Sequence, residues 1–169
     1  MVDFGFNEYV LGGSIQADGK LLLVGYTHNG SSKDFAVVRL NTDGSLDTTF
    51  DSDGRQTVNF GWTENLARGV GVQSDGRIVV AGYRFDGTQY QTTAVRFNSN
   101  GSLDSSFDGD GKVVINTGAS EYSTSMAIQP NGKIVLAGSK VISAGADDDF
   151  SIIRINSDGS LDSQFNTSN

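Results

Sequence analysis

Cysteine is absent from the 169-residue chain, which excludes disulfides, thiolate metal sites and cysteine nucleophiles together. Histidine occurs once, at His28, so a Ser-His-Asp triad would have to use it and a multi-histidine metal site cannot form within one chain. Proline also occurs once. Of the 20 acidic residues only three are glutamate (Glu8, Glu64 and Glu121), and the other 17 are aspartate, a residue of turns and caps more than of helices. Basic residues are few: 12 Lys and Arg leave a net charge of −8, which repels a phosphate backbone and argues against nucleic acid as a partner. The longest apolar run, inside Lys20-Leu-Leu-Leu-Val-Gly25, falls far short of the roughly 18 residues of a membrane helix. No charged leader precedes an apolar stretch, so no membrane partner is expected.

Glycine is in excess, with 22 residues or about twice the usual share, and the length suits one domain that buries roughly 70% of its unfolded surface. Internal similarity sets the organisation. Asp43-Gly-Ser-Leu-Asp47-Thr-Thr-Phe50 recurs as Asn100-Gly-Ser-Leu-Asp104-Ser-Ser-Phe107 and as Asp158-Gly-Ser-Leu-Asp162-Ser-Gln-Phe165. Gln16-Ala-Asp-Gly-Lys20 recurs as Gln73-Ser-Asp-Gly-Arg77 and Gln129-Pro-Asn-Gly-Lys133. Residues 1–169 therefore form a single repeat domain of three copies of about 57 residues, at approximately 1–57, 58–114 and 115–169. The third copy carries a two-residue insertion near Asp147-Asp148-Asp149.

Each copy reads as strands. In the middle one, Leu66–Gln73, Arg77–Tyr83, Gln91–Asn98 and Gly111–Asn116 alternate or are β-branched, with turn signals between them. Strand-only repeats of this length point to an all-β fold of four-stranded β-propeller blades; a closed three-repeat β-trefoil is the alternative. The string Gln-x-Asp-Gly-Lys, then Val-Arg-[Leu/Phe]-Asn, then Asp-Gly-Ser-Leu-Asp-x-x-Phe resembles the delta-60 bacterial β-propeller repeat over nearly the whole chain. That resemblance implies a module of an extracellular or cell-surface bacterial protein, and it implies fold more strongly than function.

Residues that recur are read first as parts of the blade. Asp18-Gly19, Asp75-Gly76 and Asn131-Gly132 supply positive φ for tight turns. Gly25, Gly82 and Gly138 fall where a bulge or a neighbouring sheet excludes a side chain. Leu46 and Phe50, Leu103 and Phe107, and Leu161 and Phe165 stand four apart, as around a helical turn, and are expected to plug the space between blades. Arg39, Arg96 and Arg154 lie on strands packed on both faces and want a carboxylate; the expected ion pairs are with Asp47, Asp104 and Asp162. Asp51 and Asp53, and Asp108 and Asp110, have the alternate carboxylates of a calcium loop, but a bidentate Glu is missing and the third copy reads Asn166-Thr-Ser-Asn169, so no metal and no cofactor are expected.

Residues that break the repetition are the ligand-binding candidates: Trp62 stands where the other copies have Phe6 and Ala119, Arg68 where they have Leu11 and Thr124, and Tyr90 lies in a divergent loop. Without a singular catalytic constellation, the chain reads as a non-enzymatic scaffold or interaction module, with a protein or glycan ligand. The alternative is a carbohydrate-binding propeller stacking sugars on Tyr9, Tyr26, Trp62, Tyr83, Tyr90 and Tyr122; a paired-carboxylate hydrolase is a third reading in which no acid pair is singled out. Val2-Asp-Phe-Gly5 matches Val58-Asn-Phe-Gly61 and is read as the end of a fourth strand. Since propellers usually have four to eight blades, the expectation is a six-bladed homodimer in which each N-terminal segment completes the partner's third blade.

Overall fold

A computed structural model describes residues 2–141 and 148–165; Asp147 of the acidic triplet and Asn166-Thr-Ser-Asn169 lie outside the described residues. Eleven strands follow in order: β1 (Asn7–Ile15), β2 (Leu21–His28), β3 (Lys33–Leu40), β4 (Arg55–Val58), β5 (Glu64–Val72), β6 (Ile78–Phe85), β7 (Tyr90–Phe97), β8 (Lys112–Ile115), β9 (Ser120–Ile128), β10 (Ile134–Val141) and β11 (Asp148–Ile155). β1 to β4 form one antiparallel meander, β5 to β8 a second and β9 to β11 a third. One parallel pair, Lys33 with Glu64, links the first two sheets. The third repeat shows three strands among the described residues where four were expected. Each repeat makes its own sheet, which sets the trefoil aside, because a trefoil shares one barrel among its repeats.

The sheets stack face on face. The second face of the first repeat (Leu22, Val24, Phe35, Val37) packs on the first face of the second (Ile78, Val80, Val95, Phe97) in one apolar cluster. The second face of the second repeat (Val79, Ala81, Ala94, Val113) packs on the first face of the third (Ile134, Leu136, Ile153, Ile155) in another. Strand alternation explains this, since β6 gives Ile78 and Val80 to one neighbour and Val79 and Ala81 to the other.

Two expectations about turns and plugs are corrected. In the hairpin turns only the glycine takes positive φ (Gly19 +85°, Gly76 +85°, Gly132 +81°). The preceding Asp18, Asp75 and Asn131 instead accept the backbone N–H of Lys20, Arg77 and Lys133 through Oδ1. Phe50 and Phe107 are fully buried, but Leu103 and Leu161 are exposed, and Leu46, Leu103 and Leu161 each make an isolated bridge to the end of the preceding strand. The Leu-Asp-x-x-Phe segment is a turn closed by Phe50 N–H on Asp47 O at 2.9 Å, not a helix, so its leucine and phenylalanine do not share a face.

A β-bulge recurs in the first strand of every repeat: Leu11, Arg68 and Thr124 are skipped in the pairing with the second strand. Across from it stand Gly25, Gly82 and Gly138, where a Cβ would lie 1.8, 2.0 and 2.0 Å from the carbonyl oxygens of Tyr9, Leu66 and Tyr122. Gly82→Ala is expected to cost about 2–3 kcal/mol, because backbone rather than a flexible side chain must yield. Urea unfolding measures it, and a loss below about 0.5 kcal/mol would contradict the geometry.

Candidate functional site

The three arginines expected to seek carboxylates sit at the same strand position, one residue before the end of β3, β7 and β11. Arg39 Nε donates to Asp47 Oδ2 at 2.6 Å, Arg96 Nε to Asp104 Oδ2 at 2.7 Å and Arg154 Nε to Asp162 Oδ2 at 2.7 Å. The turn presents the carboxylate because each Asp N–H donates back to the arginine's own carbonyl at 2.9–3.0 Å. Arg39 Nη2 and Arg96 Nη2 donate to Thr49 and Ser106 hydroxyls, both at 2.9 Å, and those hydroxyls donate to Asp47 and Asp104 Oδ1 at 2.7 Å. The guanidinium planes lie over Phe50, Phe107 and Phe165, 4.9, 4.7 and 4.3 Å from the ring centres.

The remaining guanidinium arm leaves the repeat. Arg39 Nη1 donates to Ser99 O in the second repeat at 2.5 Å, and Arg96 Nη1 donates to Ser157 O in the third. Beside these bonds, Asp51 N–H donates to Asn100 O at 2.7 Å and Asp108 N–H to Asp158 O at 2.8 Å. Arg39 and Arg96, with the segments after Phe50 and Phe107, thus tie one repeat to the next. Among the described residues Arg154 makes only the bond within its own repeat, and its side chain is 21% exposed against 6% and 4% for Arg39 and Arg96.

A second cation at each carboxylate went unread in the sequence: Lys20, Arg77 and Lys133 approach Asp47, Asp104 and Asp162 Oδ2 at 2.9, 2.9 and 2.7 Å. Its signal was present, since a basic residue follows the Asp-Gly or Asn-Gly turn between the first two strands of every repeat. Burial pushes Asp47 and Asp104 up, but bonds to Asp47 from Lys20 and Thr49, and to Asp104 from Ser106 and Arg96, outweigh it, so both lie below the usual carboxylate range. The Lys133 and Arg154 bonds hold Asp162 down to about 2.

The remaining candidates divide. Asp53 and Asp110 Oδ1 accept the backbone N–H of Arg55 and Lys112 at 2.9 and 2.8 Å, which makes them turn residues. Asp51 and Asp108 occupy positive φ (49° and 51°) at the crossing to the next repeat, and burial with the neighbouring Asp53 charge raises Asp51. Among the described residues no three His, Asp or Glu side chains converge as metal ligands. Trp62 is 44% exposed, its carbonyl accepting from Asn65 Nδ2 at 2.8 Å. Arg68, aimed by its bulge, donates to Tyr83 OH at 3.0 Å, and Tyr83 meets Tyr90 and Tyr122 edge-on at 5.4 and 5.7 Å. Arg68 and Tyr90 thus share one tyrosine cluster, whereas Tyr9 and Tyr26 stack at 4.7 Å in the first repeat. Glu8 and Glu121 occupy equivalent places near the start of β1 and β9, where the second repeat has Asn65, whereas Glu64 stands one position earlier in β5 and pairs with Lys33; Glu121 is buried and accepts from the Thr117 and Ser151 hydroxyls.

The family described as "Domain of unknown function (DUF5122) beta-propeller" matches the chain over residues 16–50, 73–107 and 129–165. Each match runs from the glutamine before the hairpin turn to the phenylalanine beneath the arginine. No curated protein matches the chain.

Arg96→Ala leaves a buried carboxylate short of a partner and loses the bond to the third repeat, so it is expected to cost about 3–5 kcal/mol in thermal or urea unfolding. Measured in dilute solution, where single chains predominate, Arg154→Ala, at a more exposed position with no bond to another repeat among the described residues, is expected to cost clearly less; equal losses there would contradict the relay's role between repeats. Because folding depresses the three aspartates, their contribution is complete above the unfolded value of about 3.9 and is lost as pH falls toward about 2. Stability should hold from neutral to about pH 5 and fall steeply below 4; a fall centred near pH 6 would contradict this assignment.

Proposed function

The chain belongs to the DUF5122 β-propeller family, and we propose on that footing that it is a non-catalytic scaffold and interaction module, with no catalytic step assigned to any residue. The observation that carries the reading is the direction of the buried arginines. Arg39 and Arg96 direct their free arm to the backbone of the following repeat, so the most elaborate buried polar machinery serves repeat-to-repeat docking. Placement outside the cell or on its surface, and a bacterial source, rest on the delta-60 resemblance alone.

A second reading, glycan binding, is favoured by one observation: Tyr83, Tyr90 and Tyr122 gather in one cluster, with Arg68 donating to Tyr83 OH and Tyr122 OH donating to Asp148 Oδ2 at 2.6 Å. Against it, the rings meet edge to face (64–88° between planes) and offer no flat platform for a sugar. A glycan array and a panel of chromogenic glycosides and esters separate the readings. The scaffold reading expects no turnover and no glycan held more tightly than about 1 mM. A glycan bound more tightly, and released by Tyr90→Ala without change in melting temperature, would replace it with the lectin reading.

A further inference from the structure

Both outer faces of the three-sheet stack present the apolar surface that is covered between repeats. On the second face of the third repeat, Val135 and Ala137 are half-buried and Ile152 is 50% exposed, whereas their equivalents Val79, Ala81 and Ala94 are buried. On the first face of the first repeat, Ile15 is 73% exposed and Leu21, Leu23 and Leu40 are only partly covered, whereas Ile78, Val80 and Phe97 are buried. Resting on the scaffold reading, we propose that these two faces dock on each other between two copies of the chain, head to tail, so that a two-fold axis closes six sheets into a ring.

The occupant is identified by register, because three contacts made inside the chain have their unmatched halves at its two ends. The first is aromatic. Phe35 on the second face of the first repeat meets Phe60, in the connection to the second repeat, at 5.1 Å. At the next junction the equivalent residues are Thr92 and Thr117, so the pair changes together from aromatic to hydroxyl. Phe150, 99% exposed, is the third repeat's equivalent of Phe35, and Phe4 is the first repeat's equivalent of Phe60. Both halves left over at the ends are aromatic.

The second contact is the arginine arm. Arg39 donates to Ser99 O and Arg96 to Ser157 O, and the position equivalent to those serines in the first repeat is Thr42. Arg154 is left to reach the carbonyl of Thr42 of the partner subunit.

The third is the phenylalanine under each arginine. A Cβ on Gly101 would stand 3.1 Å from Phe50 and one on Gly159 would stand 3.2 Å from Phe107, whereas one on Gly44, their equivalent in the first repeat, meets nothing within 4 Å. Phe165, less buried than Phe50 and Phe107, is the ring that fits against Gly44 of the partner subunit.

Strand exchange is not needed for this docking. β4 ends at Val58, so Val2–Gly5 aligns with the last strand residue and the connection that carries Phe60, not with a whole fourth strand. Residues 2–4 lie outside any strand, and Phe4, Phe6, Tyr9, Val10, Leu23 and Val38 line a cavity of about 590 Å³ on the face to be covered.

Multi-angle light scattering and native mass spectrometry test the pairing. The chain at about 100 µM should run near 36 kDa, twice its 17.9 kDa mass. Phe150→Lys and Phe4→Asp should each give a particle near the 17.9 kDa of one chain that keeps the wild-type circular dichroism spectrum. Mixing the two variants should restore 36 kDa, because one junction then pairs Lys with Asp and the other pairs the native rings. A wild-type particle near 18 kDa, larger open multiples, or a 36 kDa particle untouched by either substitution overturns the docking. None of these results overturns the scaffold reading, which fails instead on a tightly bound glycan.

Discussion

The architecture depends on one constraint: a guanidinium buried between two sheets must have every donor satisfied, or its desolvation would oppose the stacking. Each repeat meets this with a carboxylate from the Leu-Asp turn and a phenyl ring beneath the plane. Wherever a further repeat follows, a carbonyl of that repeat completes the set. The arginine cannot be satisfied by its own repeat alone, so the sheets are joined by a directional polar contact as well as by apolar area. Stacking of this kind is fixed in register, whereas two apolar sheet faces could slide on each other.

Much of this was legible in the sequence, and the reason is repetition. A feature that recurs at a spacing of about 57 residues is separated from drift by its own copies, so the strand pattern, the arginine and aspartate positions and the glycines of the second strand could be read before any coordinates. Other features left no such mark. Leu103 and Phe107 are equally apolar, and only the turn geometry decides that the phenylalanine goes in and the leucine out. The bulge at Arg68 is a mismatch between two strands, which a single strand cannot announce; its trace was the glycine across from it. Lys20, Arg77 and Lys133 received no role from the sequence because the aspartates they reach lie 27 to 29 residues away.

The positions that break the pattern are also clarified. Arg68 is re-aimed by a bulge onto Tyr83, and Trp62 is tied through its backbone to Asn65 while its ring stays at the surface. A scaffold that repeats its joints can vary such positions freely, because nothing in the relay touches them. Composition follows the same logic: aspartate outnumbers glutamate because aspartate side chains bond the backbone two residues on at Lys20, Ser45, Arg55, Arg77, Lys112 and Ser160.

The segments after Phe50 and Phe107 belong to the joints between repeats and not to surface turns. Native-state hydrogen exchange at the Asp51 and Asp108 amides, which donate to Asn100 O and Asp158 O, reads this directly. Both amides are expected to exchange only through global unfolding, with the same free energy as the core amides of β6. Exchange at the rate of the exposed turn amides of Ser52 and Gly109 would contradict it.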